Sequence, residues 1–239
     1  MPTALPPSDY SSVVLTAQYG SDKERLGAIE HIIATHWKVL YKYLRLRYGV
    51  ASSDAEAMMQ SFLTEVQDKG FLDQFDGSKF PVRMFLKVRL DEFVTRQKTR
   101  ANDGPSLPID FSMAEEEIRT EQRDPSQSAE EHFESEWLRN IFTLAVEELY
   151  GKLQQQGKTV QFFLFLRHDL QGSGSNNRLP LEDLAKELSI SPEIATLYLK
   201  ETRTTYQGIV TDLIQSLTTS SAEFRKEVRL LFGNAPGSA

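Results

Sequence analysis

Apolar residues recur at spacings of three and four through most of this chain, and no stretch alternates apolar with polar residues long enough to make a strand. That periodicity restricts the chain to an all-α fold. A first helix reads from Lys23 to Tyr48, with Leu26, Ile29, Ile33, Trp37, Leu40, Tyr41 and Leu44 on one stripe, a basic exposed face and Gly49 as its stop. A second follows an N-cap at Ser53 or Asp54 and carries Ala55, Met58, Met59, Phe62, Leu63 and Val66 before Gly70. After a turn-rich connection over Phe71–Ser78, a third helix opens at Pro81 and runs through Val82, Phe85, Leu86, Leu90, Phe93 and Val94 to Arg100. Helical spacing resumes with Phe133, Trp137, Ile141, Leu144, Ala145 and Leu149, and the apolar run inside Val160–Leu166 predicts a deeply buried helix. Two more helices, Leu181–Leu188 and Ser191–Leu217, and a tail helix carrying Phe224, Val228, Leu231 and Phe232 complete the pattern.

The pattern breaks between Ala101 and Ser128, where Asn102-Asp103-Gly104-Pro105, Pro108, the run Glu115-Glu116-Glu117 and Asp124-Pro125-Ser126 predict an extended acidic linker. The expected organisation is therefore two helical domains joined by an acidic linker. It comprises an N-terminal segment (1–22), a first domain (23–100), the linker (101–128), a second domain (129–218) and the tail helix (219–239). Charge follows this division. Residues 1–100 carry 14 Lys/Arg against 12 Asp/Glu, residues 101–156 carry 4 against 13, and residues 157–239 carry 9 of each, giving the net −7 of the whole chain. The acidity of the chain thus belongs to its middle. Within the first domain, Lys79, Arg83, Lys87, Arg89, Arg96, Lys98 and Arg100 face only Asp91 and Glu92, so the third helix is distinctly basic.

Several chemistries drop out. With no cysteine there is no disulfide framework, thiolate metal site or catalytic thiol, and the four histidines His31, His36, His132 and His168 show no paired ligand spacing, so no metal and no cofactor is expected. Each histidine reads as a packing residue. No nucleophile motif appears, and the paired carboxylates lie in the linker, where fixed acid/base geometry is not expected; no catalytic residue is assigned and the chain reads as a non-enzyme. Gly172-Ser173-Gly174-Ser175-Asn176-Asn177 lacks the lysine of a phosphate loop and is given no small-molecule ligand. The N-terminus has no signal-peptide pattern and no run approaches a membrane span, so the chain is expected to be cytoplasmic.

Two constellations point to nucleic acid. Leu181 to Lys200 has the pattern of a helix-turn-helix: Ala185 is small where two helices would cross, Ser189-Ile190 forms the turn, and Ser191 caps a helix that has Pro192 and Glu193 in its first turn. The N-terminal residues of that second helix would face a DNA major groove. In the basic third helix, Phe75, Phe80, Phe85 and Phe93 lie among the bases, and aromatic faces beside cations suit unstacked single-stranded bases; Phe85 and Phe93 belong to the apolar stripe, leaving Phe75 and Phe80 as the stacking candidates.

Together these segments resemble the extracytoplasmic-function sigma factors of bacterial RNA polymerase, in a branch with an extended C-terminal tail. Tyr10-Ser11-Ser12-Val13-Val14-Leu15 is similar to the family's N-terminal element, and Trp37-Lys38-Val39-Leu40-Tyr41-Lys42-Tyr43-Leu44-Arg45 to its aromatic helix. Asp54-Ala55-Glu56-Ala57-Met58-Met59-Gln60-Ser61-Phe62 resembles the region 2 helix that contacts the polymerase clamp, and Val82 to Arg100 the segment that opens and reads the −10 element. Leu107-Pro108-Ile109-Asp110 resembles the start of the interdomain linker, Leu181 to Tyr206 the region 4 reader of the −35 element, and Phe224 to Phe232 the tail of the branch.

The resemblance implies a factor that directs core RNA polymerase to promoter DNA, with Glu56, Gln60 and Glu65 on the polymerase. Phe80, Arg83, Lys87, Arg89, Arg96, Lys98 and Arg100 would meet the −10 strand, and Ser191, Thr196, Lys200 and Arg203 the −35 duplex. It implies a linker that threads a basic polymerase channel, and it allows an anti-sigma protein as a further partner. The sequence departs from the family at Ala57 and Ser61, where acids are usual, and at Thr196, Glu201, Thr204, Thr205 and Gln207, where Lys or Arg is common. Ser189 replaces a turn glycine, which suits a turn that avoids positive φ. These departures keep two alternatives open: a degenerate sigma-like adaptor that binds protein, and a stand-alone helix-turn-helix regulator.

Overall fold

The computed structural model describes residues 12–68, 70–97, 107–121, 126–171 and 179–232, and over these the protein is all-helical. In chain order the helices are α1 (Val13–Tyr19), α2 (Asp22–Tyr48), α3 (Ser52–Gln67), α4 (Val82–Gln97), α5 (Ser112–Thr120), α6 (Ala129–Gln155), α7 (Thr159–Phe165), α8 (Leu181–Glu187), α9 (Pro192–Ser216) and α10 (Ser221–Phe232). A 3₁₀ turn at Leu72–Gln74 precedes α4, and a π turn at Leu166–Leu170 extends α7. None of the helices described is long and apolar enough to cross a membrane.

The chain forms two compact units. One takes the described residues up to Asn140 together with those from Ile214 onward; the other is Ile141–Leu213. Both boundaries fall inside helices, α6 and α9, which differs from the expected division at an acidic linker. The physical reason lies in the first three turns of α6: Phe133 and Trp137 are buried in the first unit, where Phe133 meets the Tyr43 ring edge-on at 5.5 Å and Trp137 lies under the Arg83 guanidinium. The tail helix α10 belongs to the same unit.

Local chemistry explains the helix ends of the first unit. Ser12 caps α1 by accepting from the Leu15 N–H at 3.2 Å, and the buried Gln18 amide donates to the carbonyls of Leu72 and Phe75, both at 2.9 Å, tying α1 to the turn before α4. At the start of α2, Glu24 accepts from the Ser21 N–H at 2.9 Å. Gly49 ends α2 in the left-handed conformation, φ 61°, with its N–H returning to the Arg45 carbonyl. The N-cap of α3 is Ala51 rather than Ser53 or Asp54; the Ser52 hydroxyl turns to Glu56 at 3.1 Å instead. The core is built largely from the predicted stripes of α2, α3 and α4, with Leu40, Tyr41, Leu44, Met59, Phe62, Leu86 and Leu90 fully enclosed; Leu26, predicted on the α2 stripe, is instead 52% exposed, near the start of the helix.

The acidic middle is the largest departure from expectation. Its described part is not extended: Ser112–Thr120 is helical, begins beside an Asp110 carboxylate that accepts from the Ser112 N–H at 2.9 Å, and buries Phe111 and Ala114 in the first unit. Residues 101–106 and 122–125 lie outside the described residues, as do Tyr10, Ser11 and the 172–177 loop. The spacing Phe111, Ala114, Ile118 carries the helical signal, which three consecutive glutamates obscure.

In the second unit, α8 buries Leu184 and Ala185, and α9 buries Ala195 and Leu199. The connection is tight: the Ser189 N–H returns to Lys186 at 3.1 Å and the Ile190 N–H to Ala185 at 3.0 Å. Ser189 has φ 56°, so this turn does use the left-handed region, and a serine bears the strain where glycine would be relaxed.

Candidate functional site

The basic helix α4 displays fewer of its cations than its sequence suggests. Arg83 is only 5% exposed: its guanidinium lies 4.0 Å from the centroid of the Trp137 ring, with Nη1 2.8 Å from Glu227 of α10 and Nη2 2.9 Å from Glu134 of α6. Lys87 is also buried, over the Tyr43 ring at 4.8 Å and near Asp91 at 3.6 Å and Glu130 at 4.0 Å. Both stand where a solvent-facing phosphate contact was expected, because acids of α6 and α10 close over them. Arg89 pairs with Glu92 at 2.7 Å, donates to Gln74 and covers the Phe85 ring. Arg96 pairs with Glu65 at 2.7 Å yet keeps most of its side chain in water.

These two arginines line a shallow groove with Glu65, Asp68, Gln74 and Glu92, a surface of mixed charge. Lys98 and Arg100 lie outside the described residues. Phe80, 37% exposed, lies parallel to Phe85 at 6.5 Å and remains presentable to a flat ligand; Phe75 is buried and is core.

The three residues expected on the polymerase divide similarly. Gln60 is engaged by the segment before α5: its amide donates to the Leu107 carbonyl at 2.8 Å and accepts from the Leu107 N–H at 2.6 Å. Glu65 holds Arg96, and Glu56 accepts from Ser52. The face of α2 that was read as exposed and basic is covered by α5. Phe111 packs edge-on to Trp37 at 5.4 Å and against Tyr41 at 4.8 Å, while Glu115 takes Arg45 at 2.6 Å and Glu117 takes Lys38 and Lys42, each at 2.7 Å. Burial and the bond to Glu115 push the Tyr41 phenol up to about 12.

In the second unit the first turns of α9 are open. Ser191 caps the helix by accepting from the Ile194 N–H at 3.3 Å, and Ser191, Thr196 and Lys200 are exposed; Thr196 returns its hydroxyl to the Pro192 carbonyl at 2.9 Å. Ile194 and Leu197 are exposed on the same turns, Leu197 at 51%. Arg203 is held bidentately by Asp169 at 2.6 and 2.7 Å, and Asp169 also meets His168 at 2.7 Å. Burial would raise the Asp169 carboxyl, but those two partners outweigh it and hold the carboxyl low.

One cluster escaped sequence reasoning. His132 and Glu136, one turn apart on α6, bring ligand atoms within 4.8 Å of each other and of Glu121, a geometry with room for a cation. His132 and Glu136 are thus a ligand pair at i,i+4, a spacing the four histidines were expected to lack. Cations of the chain already fill the place: Lys42 Nζ is 2.5 Å from Glu136 and 3.7 Å from Glu121, and Arg139 pairs with both carboxylates.

His36 is a packing histidine, as expected, and a strongly perturbed one. Burial, helped by Arg83 and His31 and resisted by the 2.8 Å contact of Nδ1 with the Ile32 carbonyl, lowers its pKa to about 4. Its Nε2, Trp137 Nε1 and Glu223 Oε1 are buried without a hydrogen-bond partner, and all three residues line one small cavity under Arg83 and Glu227. A group depressed on folding favours the neutral form, so its stabilisation is complete above about pH 6.5 and is lost on acidification toward 4. Between pH 7.5 and 5.0 the loss is about 2 kcal/mol. Thermal unfolding at those two pH values should show it, and His36→Gln should flatten the difference. The raised Glu223 carboxyl, desolvated and close to Glu227, acts in the opposite sense.

No family model, curated protein or solved structure matches the chain.

Proposed function

We propose that the protein is a sigma-type transcription initiation factor that binds core RNA polymerase and directs it to promoter DNA, without chemistry of its own. The observation that carries the reading is the α8–α9 pair. Ala185 and Ala195 are buried, one on each of two short-linked helices, a serine caps the second, and the first turns of that second helix face solvent with Ser191, Thr196 and Lys200. This is what a helix-turn-helix needs to lay a reading helix in a major groove. Phe80, just before α4, and Arg96 within it are the exposed aromatic and cationic groups that would meet an unstacked strand. Pull-down with core RNA polymerase, followed by run-off transcription over a genomic promoter library, tests the reading. Co-elution and promoter-dependent transcripts are expected, with Lys200→Glu reducing transcripts but not co-elution; failure to bind core enzyme overturns it.

A second reading is favoured by the charge distribution. Arg83, Lys87 and Arg203 are bound by acids of the chain itself, and α9 offers Ile194 and Leu197 beside a single cation, Lys200, on its first turns. Each neutralised phosphate contributes a slope of about −0.9 in log affinity against log salt, so a domain with so few free cations binds DNA weakly alone. An adaptor for protein fits this, and it predicts duplex affinity unchanged by Lys200→Glu.

A further inference from the structure

The face of α2 beneath α5 has the composition of a peptide-binding groove. Trp37 and Tyr41 form an aromatic pocket, and Lys38, Lys42 and Arg45 surround it with positive charge. What sits there is informative about what it selects. Phe111 enters the pocket at 5% exposure, and one turn further Glu115 accepts from Arg45 Nε and from the Tyr41 hydroxyl, both at 2.6 Å. Glu117 lies between Lys38 and Lys42, and the backbone of Leu107 is held at both polar atoms by Gln60. An aromatic anchor followed by carboxylates four and six residues later is thus read by complementary groups at each position.

The occupant is a short helix with one face open to solvent. α5 is nine residues long, too short to be stable as a helix without its partner surface. Its fully buried apolar side chains are Phe111 and Ala114, while Met113 is 59% exposed. Two of its ion pairs, Arg45–Glu115 and Lys38–Glu117, are partly open to solvent and so subject to screening by salt.

We propose that this groove is a docking site for an acidic, aromatic-anchored helix of another protein, and that α5 is its competitor within the chain. A covalently attached occupant acts at an effective concentration on the order of millimolar, so it masks the groove from weak ligands and admits tighter ones. Displacing α5 would release Gln60 as well, which couples occupancy of the groove to the exposed face of α3. The inference rests on the contacts that α5 and the segment before it make with α2 and α3, and holds whichever functional reading is right.

The test uses the full chain and a fluorescein-labelled peptide with the sequence of residues 107–121. In a variant with its own strap loosened, Phe111→Ala with Glu115→Gln, the peptide should bind about tenfold or more tightly than it binds the wild type. Adding Arg45→Ala should abolish the gain. Equal binding to both chains, or binding to neither while both remain helical by circular dichroism, overturns the proposal. Should the variant fail to fold, hydrogen exchange on the wild type decides. Amides of 112–120 should exchange well before those of α2 and α3, and faster in about 0.5 M salt, where the Debye length is only about 4 Å. Exchange of α5 only with global unfolding overturns the proposal.

Discussion

Arg83→Met should lower the unfolding free energy of the first unit by about 3–5 kcal/mol, the cost of leaving a buried charge without its partner. The substitution keeps most of the apolar contact with Trp137 but strands Glu227, whose side chain is 3% exposed and cannot turn to water; Glu134, at 36%, can. The double change Arg83→Met with Glu227→Leu should recover most of the loss, because replacing a whole buried ion pair by packed apolar groups is often neutral or better. Both tryptophans of the chain, Trp37 and Trp137, lie in the first unit, so urea denaturation followed by tryptophan fluorescence reads that unit. A loss below about 1 kcal/mol, within reach of an exposed ion pair, would show that the Arg83 cage is open to solvent.

Lys42→Met is the second large effect. Lys42 is 1% exposed, and its ammonium neutralises Glu136, itself 4% exposed, together with Glu117. Burial alone would lower the lysine pKa, but the hydrogen bonds it donates to Glu117 and Glu136 outweigh it and raise the value. Removing the ammonium leaves Glu117 with Lys38 alone and Glu121 and Glu136 sharing Arg139 among the ion pairs described, at a cost of about 3–5 kcal/mol at neutral pH. The pH dependence then reverses. In the wild type Glu117 and Glu121 are held below the usual carboxylate range, so their stabilisation is present above about pH 4.5 and lost below it. In the variant the crowded carboxylates titrate above that range, so stability should rise on acidification from pH 7 toward 5. Melting temperatures across that interval check the sign; a variant that loses stability in parallel with the wild type would refute it.

Much of the helical framework was readable in advance. The stripes of α2, α3 and α4, the stop at Gly49, the start near Pro81, the cap at Ser191 and the helical tail all follow from interactions within one or two turns. The helix at Ser112–Thr120 was hidden because Glu115, Glu116 and Glu117 read as a solvated acidic run, although two of them answer cations of α2. The candidate site was less readable. Arg83 and Lys87 carry nothing in their local spacing that separates a solvent-facing base from a buried one, and His132 with Glu136 becomes a cluster only when Glu121 and Lys42 arrive.

The sequence alone determined where the long amphipathic helices form and that the acidity of the chain is concentrated in its middle, since each depends on residues within a few positions. The tertiary structure alone decided which charges are spent. The partners of Arg83 are 51 and 144 residues away, and Lys42 meets Glu136 across 94. Attraction of that kind acts through space over a few ångströms and leaves no periodic trace along the chain. The acidic middle, which on paper reads as an extended linker, is in the folded protein the partner of Lys38, Lys42 and Arg45 on α2.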